Sequence, residues 1–311
     1  MRKKTRVIAE EAADQEPFAL IRRKRAMAML GLIAFLLCTA LLTALMGSLG
    51  PIGGDPASDR YISFGEAFNI LLGGDDPQSA TIWNVRMPRV LMAGLVGAGL
   101  AAAGMAMQAV FRNPMADPFI IGVSSGAAVG AAAISLIGVV GIFAAFTQPF
   151  FAFICALLTV FVVYRLGTIR GNVQVDTLLL SGVAVAAFLG AMTSFMIFAA
   201  GQQFHQLAFW LLGSLGNAGW AQNAIMILPI SVGIVVIFLY SRELNVLLLG
   251  EETAHNLGGN PEFVKKLMLS VAAVMTSLAV AFTGIIGFVG LMVPHMMRLI
   301  VGPDHRILII A

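Results

Sequence analysis

The chain has 311 residues, of which 59% are hydrophobic and only 11% charged, with a mean hydropathy of +0.91. That balance excludes a soluble globule and describes a polytopic membrane protein. A net charge of +3 and a pI near 9.1 would suggest nucleic acid as a partner for a soluble chain, but here the basic residues sort by topology and no nucleic acid is expected.

Residues 1–25 form a charged arm, and residues 26–311 are read as one transmembrane domain. A run free of Asp, Glu, Lys and Arg extends from Ala26 to Gly54. It exceeds the roughly 20 residues that cross a hydrocarbon core, so it is read as a retained anchor and not as a secretory signal peptide. Four further uncharged runs follow, from Val90 to Phe111, Pro118 to Tyr164, Thr177 to Ser241 and Leu267 to Met297. The longer ones must hold two spans each. Helices are therefore expected near 27–48, 88–110, 118–138, 143–165, 177–199, 222–241, 264–283 and 288–302. For the last pair, one kinked span is the competing reading, because Gly284 and Gly287 interrupt the run. Broken helices at membrane depth must be buried or line a cavity, so either reading puts this region near the working interior. Cys38 and Cys155 lie inside apolar runs and are read as small packing hydrophobes.

Lys and Arg fall mainly on alternate loops. The N-terminal arm, Arg112, Arg165 with Arg170, Arg242 with Lys265 and Lys266, and Arg298 with Arg306 share one side, whereas Arg60, Arg86 and Arg89 share the other. The positive-inside rule makes the first side cytoplasmic, with loops 52–83 and 200–221 facing out. Glycines at four-residue spacing, Gly122, Gly126 and Gly130, form one small-residue stripe, and Ala93, Gly97 and Ala101 form another; both are read as close helix packing.

Between Arg242 and Lys266 the apolar pattern breaks into a polar island. Its punctuation predicts two short helices: Gly250 divides them, Glu251 and Glu252 sit where a helix start favours negative charge, and Gly258 is placed as a stop. Asn260, Pro261 and Glu262 read as the cap and first turn of the next span. Such a compact unit between spans suggests a rigid docking knob; an ordinary solvated loop is the plainer alternative.

The sequence contains no GxxxxGK[ST] loop, so ATP-driven work is assigned to a partner. The span interiors carry no carboxylates, which counts against an ion-coupled secondary transporter, the main rival. Asp117 and Asp176 are read as helix caps. His205, His255, His295 and His305 have no metal-ligand spacing, so no metal site is expected. An intramembrane enzyme would have to use Ser124, Ser125 and His295, and nothing in their spacing brings them together. Arg86 and Arg89, at the outer end of a span, are either headgroup anchors or a cationic patch for an acidic soluble partner. Trp210 and Trp220 are read as interfacial anchors.

Several stretches together resemble the FecCD-type permeases of binding-protein-dependent ABC importers for iron-siderophore, haem and cobalamin. They are RMPR from Arg86, GAGLAAAGMAMQAVFRNPMADPFIIGVSSGA from Gly97, WLLGSLGNAGW from Trp210, LGEETAHNLG from Leu249, GIIGFVGLMVPHMMR from Gly284 and GPDHR from Gly302. The resemblance implies an all-α type II importer bundle of ten spans, of which about eight precede Ala311, leaving two further spans expected beyond it. It implies a homodimer in the cell membrane of a prokaryote, a cytoplasmic ABC ATPase dimer that binds ATP and Mg, and an extracytoplasmic binding protein. It also implies that Leu249, Gly250, Glu251, Glu252, Thr253, Ala254, His255, Asn256, Leu257 and Gly258 form the ATPase-coupling segment, and that Arg86 and Arg89 dock the binding protein. Gln108, Asn113, Pro114, Gly122, Ser125, Gly126, Gly287, Gly290, Pro294 and His295, all in the matching stretches, are candidates for the translocation path or the packing that shapes it.

Overall fold

Long uncharged runs can satisfy their backbone polar groups in a membrane only by helix formation, and helices dominate the computed structural model, which describes residues 23–44, 64–74, 79–137, 144–201 and 204–311. Arg60 and most of the 1–25 arm lie outside these residues. In chain order the helices are α1 (Arg23–Ala44), α2 (Phe64–Leu71), α3 (Ser79–Thr81), a π turn (Ile82–Arg86), α4 (Met87–Val110), a 3-10 turn (Pro118–Ile121), α5 (Val123–Ile137) and α6 (Ala144–Leu166). A two-residue hairpin, β1 (Thr168–Ile169) and β2 (Asn172–Val173), leads to α7 (Val175–Ala199), α8 (Phe204–Leu211), α9 (Trp220–Leu239), α10 (Ser241–Leu247) and α11 (Glu251–Asn256). The chain continues through α12 (Pro261–Thr283), α13 (Val289–Val301) and α14 (His305–Leu308).

Among the described residues six helical segments are long and apolar enough to cross a membrane: α1, the α3–α4 segment, α6, α7, α9 and α12. The other two expected spans are shorter. Within the described residues α5 has 15 and α13 has 13, about 20 Å of described helix each. The region after Lys266 is therefore two helices and not one kinked span. Gly284, at φ 69°, ends α12 and Phe288, at φ 68°, starts α13.

The core centres on α4, which packs against α9, α12 and α13 and is buried along its second half, from Gly99 onward except for half-buried Ala101. Contact with α13 depends on glycine. Pro294 has no N–H to give the Gly290 carbonyl, and Gly104 lies against that carbonyl so closely that a Cβ there would overlap it. On the other side, α5 packs on α6: a Cβ on Gly126 would meet the Cys155 carbonyl at 2.7 Å, and one on Gly130 the Phe151 carbonyl at 2.5 Å. The Gly122–Gly126–Gly130 stripe is thus a packing seam. Among the described residues the Ala93–Gly97–Ala101 stripe forms no seam, because a Cβ on Gly97 meets nothing within 4 Å and Ala93 is exposed.

The helix ends follow the expected chemistry with one exception. Asp117 caps the 3-10 turn, its Oδ1 accepting from Phe119 N at 2.8 Å. Asp176 instead lies within the first turn of α7, behind Gln174 at the cap position; its charge there favours the exposed N–H groups without capping them. Segments 52–83 and 200–221, expected as outward loops, carry the short helices α2 and α8. α2 buries Ala67 and Ile70 against Ile82 in a small cluster apart from the main core.

Candidate functional site

The island between α9 and α12 folds as two short helices. Gly250 separates α10 from α11 at φ 111°, and Gly258 adopts φ 84° after α11, conformations that a side chain strains. Asn260 caps α12 through its Oδ1, which accepts from Phe263 N at 3.0 Å. Only one side of the island is finished: Ala254 is buried, while Leu249, Glu252, Thr253, His255, Asn256, Leu257 and Gly258 are exposed. Leu249 and Leu257 are 67% and 66% exposed, so the projecting rim includes two bare leucines flanking α11.

A buried cation holds the inner side. Lys265, 2% exposed, reaches Glu251 Oε2 at 2.8 Å, Glu262 Oε2 at 2.9 Å and the Val173 carbonyl at 3.0 Å. Three acceptors match its three N–H donors. The second oxygen of Glu262 accepts from Val173 N at 2.6 Å, and Lys266 donates to the Gly171 carbonyl at 2.7 Å. Glu251 also lies 3.7 Å from Arg112. One network therefore fastens α11 to α12, to the β1–β2 hairpin between α6 and α7, and to the loop after α4. The sequence reading missed Lys265 as a site residue; two carboxylates 14 positions upstream and three positions upstream of it were the available signal.

A second clamp fixes α10. Asn245 Nδ2 donates to Asp304 Oδ1 at 2.8 Å, while Asn245 Oδ1 accepts from His305 N at 3.0 Å and faces His305 Nδ1 at 2.7 Å. Burial, reinforced by the Arg298 charge and opposed by Asp304, pushes the His305 imidazole down to about 4. At neutral pH the ring is uncharged, donating from Nδ1 to Asn245.

Behind the island, fully buried Gln108 donates to the Leu291 carbonyl at 3.1 Å and accepts from Arg298 Nη1 at 2.6 Å, joining α4 to α13. Asn113 and Pro114 are exposed in the loop after α4, where Asn113 Oδ1 accepts from Met115 N at 2.9 Å. Gly122 is left-handed at φ 83°, and Ser125 Oγ donates to its carbonyl at 3.0 Å. Gly287 is exposed, Gly290 and Pro294 are buried, and His295 is half-buried. Of the ten path or packing candidates, Gln108, Asn113, Gly122, Ser125, Gly126, Gly290 and Pro294 make local or interhelical contacts in this way. Ser125 keeps its hydrogen bond within its own turn, and among the described residues no contact joins Ser124, Ser125 and His295 into a catalytic group.

Arg112, Arg165, Lys265, Lys266, Arg298 and the 302–306 turn gather at one end of the bundle, with Arg25 of α1 beside Gly302. Arg86 and Arg89 lie at the opposite end of α4. Arg86 is half-buried and donates to the Ala44 carbonyl at 3.3 Å, next to the α1 terminus. Arg89 is half-buried as well, with its Nε enclosed and unpartnered. The π turn explains this end. Met87 N bonds Ile82 O in π register, the next donor in that register would be Pro88, and Trp220 Nε1 instead donates to the Trp83 carbonyl at 2.9 Å. Asn223 adds a bond to the Pro88 carbonyl at 2.8 Å. Trp220 is thus a specific clasp between α9 and α4 as well as an end-of-span aromatic, and Trp210 packs half-buried against the core with its carbonyl against Gly284.

Residues 57–311 match the FecCD transport family. The chain belongs to that family. Among its relatives, the cobalamin import system permease protein BtuC of Halobacterium salinarum is 45% identical over 258 residues, covering 83% of this chain and 68% of the relative. The hemin transport system permease protein HmuU of Yersinia pestis is 38% identical over 229 residues, covering 72% of this chain and 68% of the relative. A solved ABC transporter of metal-chelate type in an inward-facing conformation superimposes with a TM-score of 0.76 at 27% identity, over 91% of this FecCD chain and 84% of that one. The protein is accordingly an all-α, multi-pass transport permease of the ABC importer kind.

Proposed function

We propose that this FecCD chain is the permease subunit of an ATP-driven importer that receives an iron-siderophore, haem or cobalamin type substrate from a binding protein and passes it through the cell membrane of a prokaryote as a homodimer. The end carrying Lys265 and the island faces the cytoplasm in this reading, as the excess of basic residues there requires. The observation that carries the proposal is the island: a helix pair bare on its outer rim and bound on its inner side by Lys265. A projection of that kind can receive force from a nucleotide-hydrolysing partner and pass it to α12 and the hairpin. The 249–258 segment is then the ATPase contact, and ATP with Mg resides on the partner. Residues 26–311 act as one permease domain around the 242–266 island.

The test is substrate-stimulated ATP hydrolysis in the complex reconstituted with its ATPase and binding protein. Leu249→Arg or Leu257→Arg places charge on the bare rim without disturbing the core, and a loss of at least tenfold in stimulated hydrolysis is expected. Unchanged coupling in both variants overturns the docking role. Gly250 and Ala254 are poorer probes, since a left-handed backbone and burial would confound the result.

At the far end, Arg86 and Arg89 are proposed to meet acidic groups of the binding protein. Their place at the outer end of α4, away from the end where the other basic residues gather, supports this reading. Reversing both charges to Glu is expected to weaken docking of the binding protein several-fold, more at low salt than at high salt, in a titration of labelled binding protein. Docking of undiminished strength at both salt concentrations returns the pair to headgroup anchoring, with Arg86 also tethering α4 to α1.

A further inference from the structure

Where α6 and α12 run side by side toward the hairpin, their outer faces leave an open groove lined by Leu157, Val160, Phe161, Leu269, Ala273 and Val274, with Ile121 and Leu178 at its floor. It offers about 340 Å³, at the lower end of the roughly 300–1,000 Å³ of sites that hold a small molecule. Between the apolar walls, Ser270 Oγ is satisfied by the Lys266 carbonyl at 2.8 Å. From Lys266 to Val274 the groove follows eight residues of helix, about 12 Å. One leaflet of a bilayer with a hydrocarbon core of about 30 Å is about 15 Å deep, so the groove has the depth of one leaflet.

Its mouth is of opposite character. Tyr164 and Lys266 line both the apolar groove and an adjoining polar recess, completed by Arg165, Thr168 and Gly171. Arg165 lies over the Phe161 ring at 5.9 Å, poised above the groove wall. Among the described residues neither Arg165 nor the neighbouring exposed Arg170 pairs with a carboxylate. The one carboxylate near Lys266, Glu262, is 3.7 Å away and already engaged by Lys265 and Val173 N. The recess therefore carries a surplus of cation charge directly at the end of a leaflet-deep apolar channel.

We propose that this groove binds an anionic phospholipid, its acyl chain between α6 and α12 and its phosphate on Arg165 and Lys266. Both halves of the observation are needed: an acyl chain alone explains the channel but not the uncompensated cations, and a free phosphate alone explains the cations but not the channel. The occupant also rests against the hairpin that Lys265 and Lys266 tie to the island, so the lipid sits on the element that joins α6 to α7.

The probe is phosphatidylglycerol, compared with phosphatidylcholine, added to the detergent-purified chain and read as retained lipid by native mass spectrometry. Phosphatidylglycerol is expected to be retained selectively. Arg165→Gln should reduce its retention about fivefold, and Arg165→Gln with Lys266→Gln about 25-fold. Ser270→Phe, which fills the channel and leaves both cations in place, should also reduce retention at least fivefold, while Arg242→Gln with Arg306→Gln, an equal charge loss elsewhere at the same end, should not. Equal retention of the two lipids overturns the proposal, as does an equal loss in the Arg242–Arg306 control or no loss in Ser270→Phe. Disulfide cross-linking of a cysteine placed at Ser270 between two copies of the chain would overturn it too, by assigning the face to a subunit contact.

Discussion

Replacing Lys265 with methionine is expected to uncouple the island from the bundle, abolishing most substrate-stimulated ATP hydrolysis in the reconstituted complex and lowering the thermal midpoint of the isolated chain. The side chain is 2% exposed and satisfies Glu251, Glu262 and the Val173 carbonyl together. Removing it leaves Glu251 Oε2, Glu262 Oε2 and the Val173 carbonyl without the donor they share. Breaking a buried ion pair by deleting one partner costs about 3–5 kcal/mol. The lower part of that range applies here, because Glu251 is 37% exposed and water reaches its charge. Methionine retains the volume, so the loss is electrostatic rather than a cavity effect. A double-mutant cycle with Glu251→Gln isolates the pair: if the network links α11 to α12, the two substitutions together cost clearly less than the sum of each alone. Additive effects and intact coupling in Lys265→Met would show that the island is fastened by other contacts.

Gly104→Ala is expected to be the most damaging single-methyl change in the bundle. The added Cβ falls on the Gly290 carbonyl, a backbone atom with no freedom to swing aside. Overpacking a core typically costs about 1–3 kcal/mol; here α4 and α13 must separate, so the upper end is expected, with loss of the Gln108–Leu291 and Gln108–Arg298 bonds. Gly97→Ala is the internal control. The same methyl on the same helix meets nothing within 4 Å, and should leave stability unchanged or improve it slightly by lowering the entropy of the unfolded chain. Midpoints from a thermal scan of purified protein distinguish the two. Equal effects would mean that α4 and α13 do not meet at Gly104.

These two experiments also mark how far the sequence could be read. The helices were legible because uncharged run length is a local property, and the two helices of the island were legible because Gly250 and Gly258 must adopt conformations that other residues avoid. The gathering of basic residues at one end was legible for a similar reason, since alternate loops alternate sides. Pairings between helices were not. A membrane helix can be apolar on every side, so its sequence does not reveal which face is buried; at Gly97 the Ala93–Gly97–Ala101 stripe meets nothing among the described residues of the chain, whereas Gly104 meets Gly290 from 186 positions away. The Lys265 network depends on a hairpin 92 residues upstream, and Arg86 finds its acceptor at the end of α1, 42 positions back. Short amphipathic pieces such as α2 and α8 were hidden inside loops too brief to show a period. Family resemblance pointed to residues 249–258, here proposed as the ATPase contact, but the identity of their buried anchor, Lys265, required coordinates.

The proline in the second span has a mechanical consequence. With its own ladder interrupted at Trp83, α4 borrows an indole from Trp220 and an amide from Asn223, both on the first turn of α9. The other end of α9 passes through Tyr240 directly into α10 of the island. α9 is therefore a rod gripped at both extremities, and any roll or tilt imposed where it meets the island arrives, a full membrane thickness away, as a pull on the segment that holds Arg86 and Arg89.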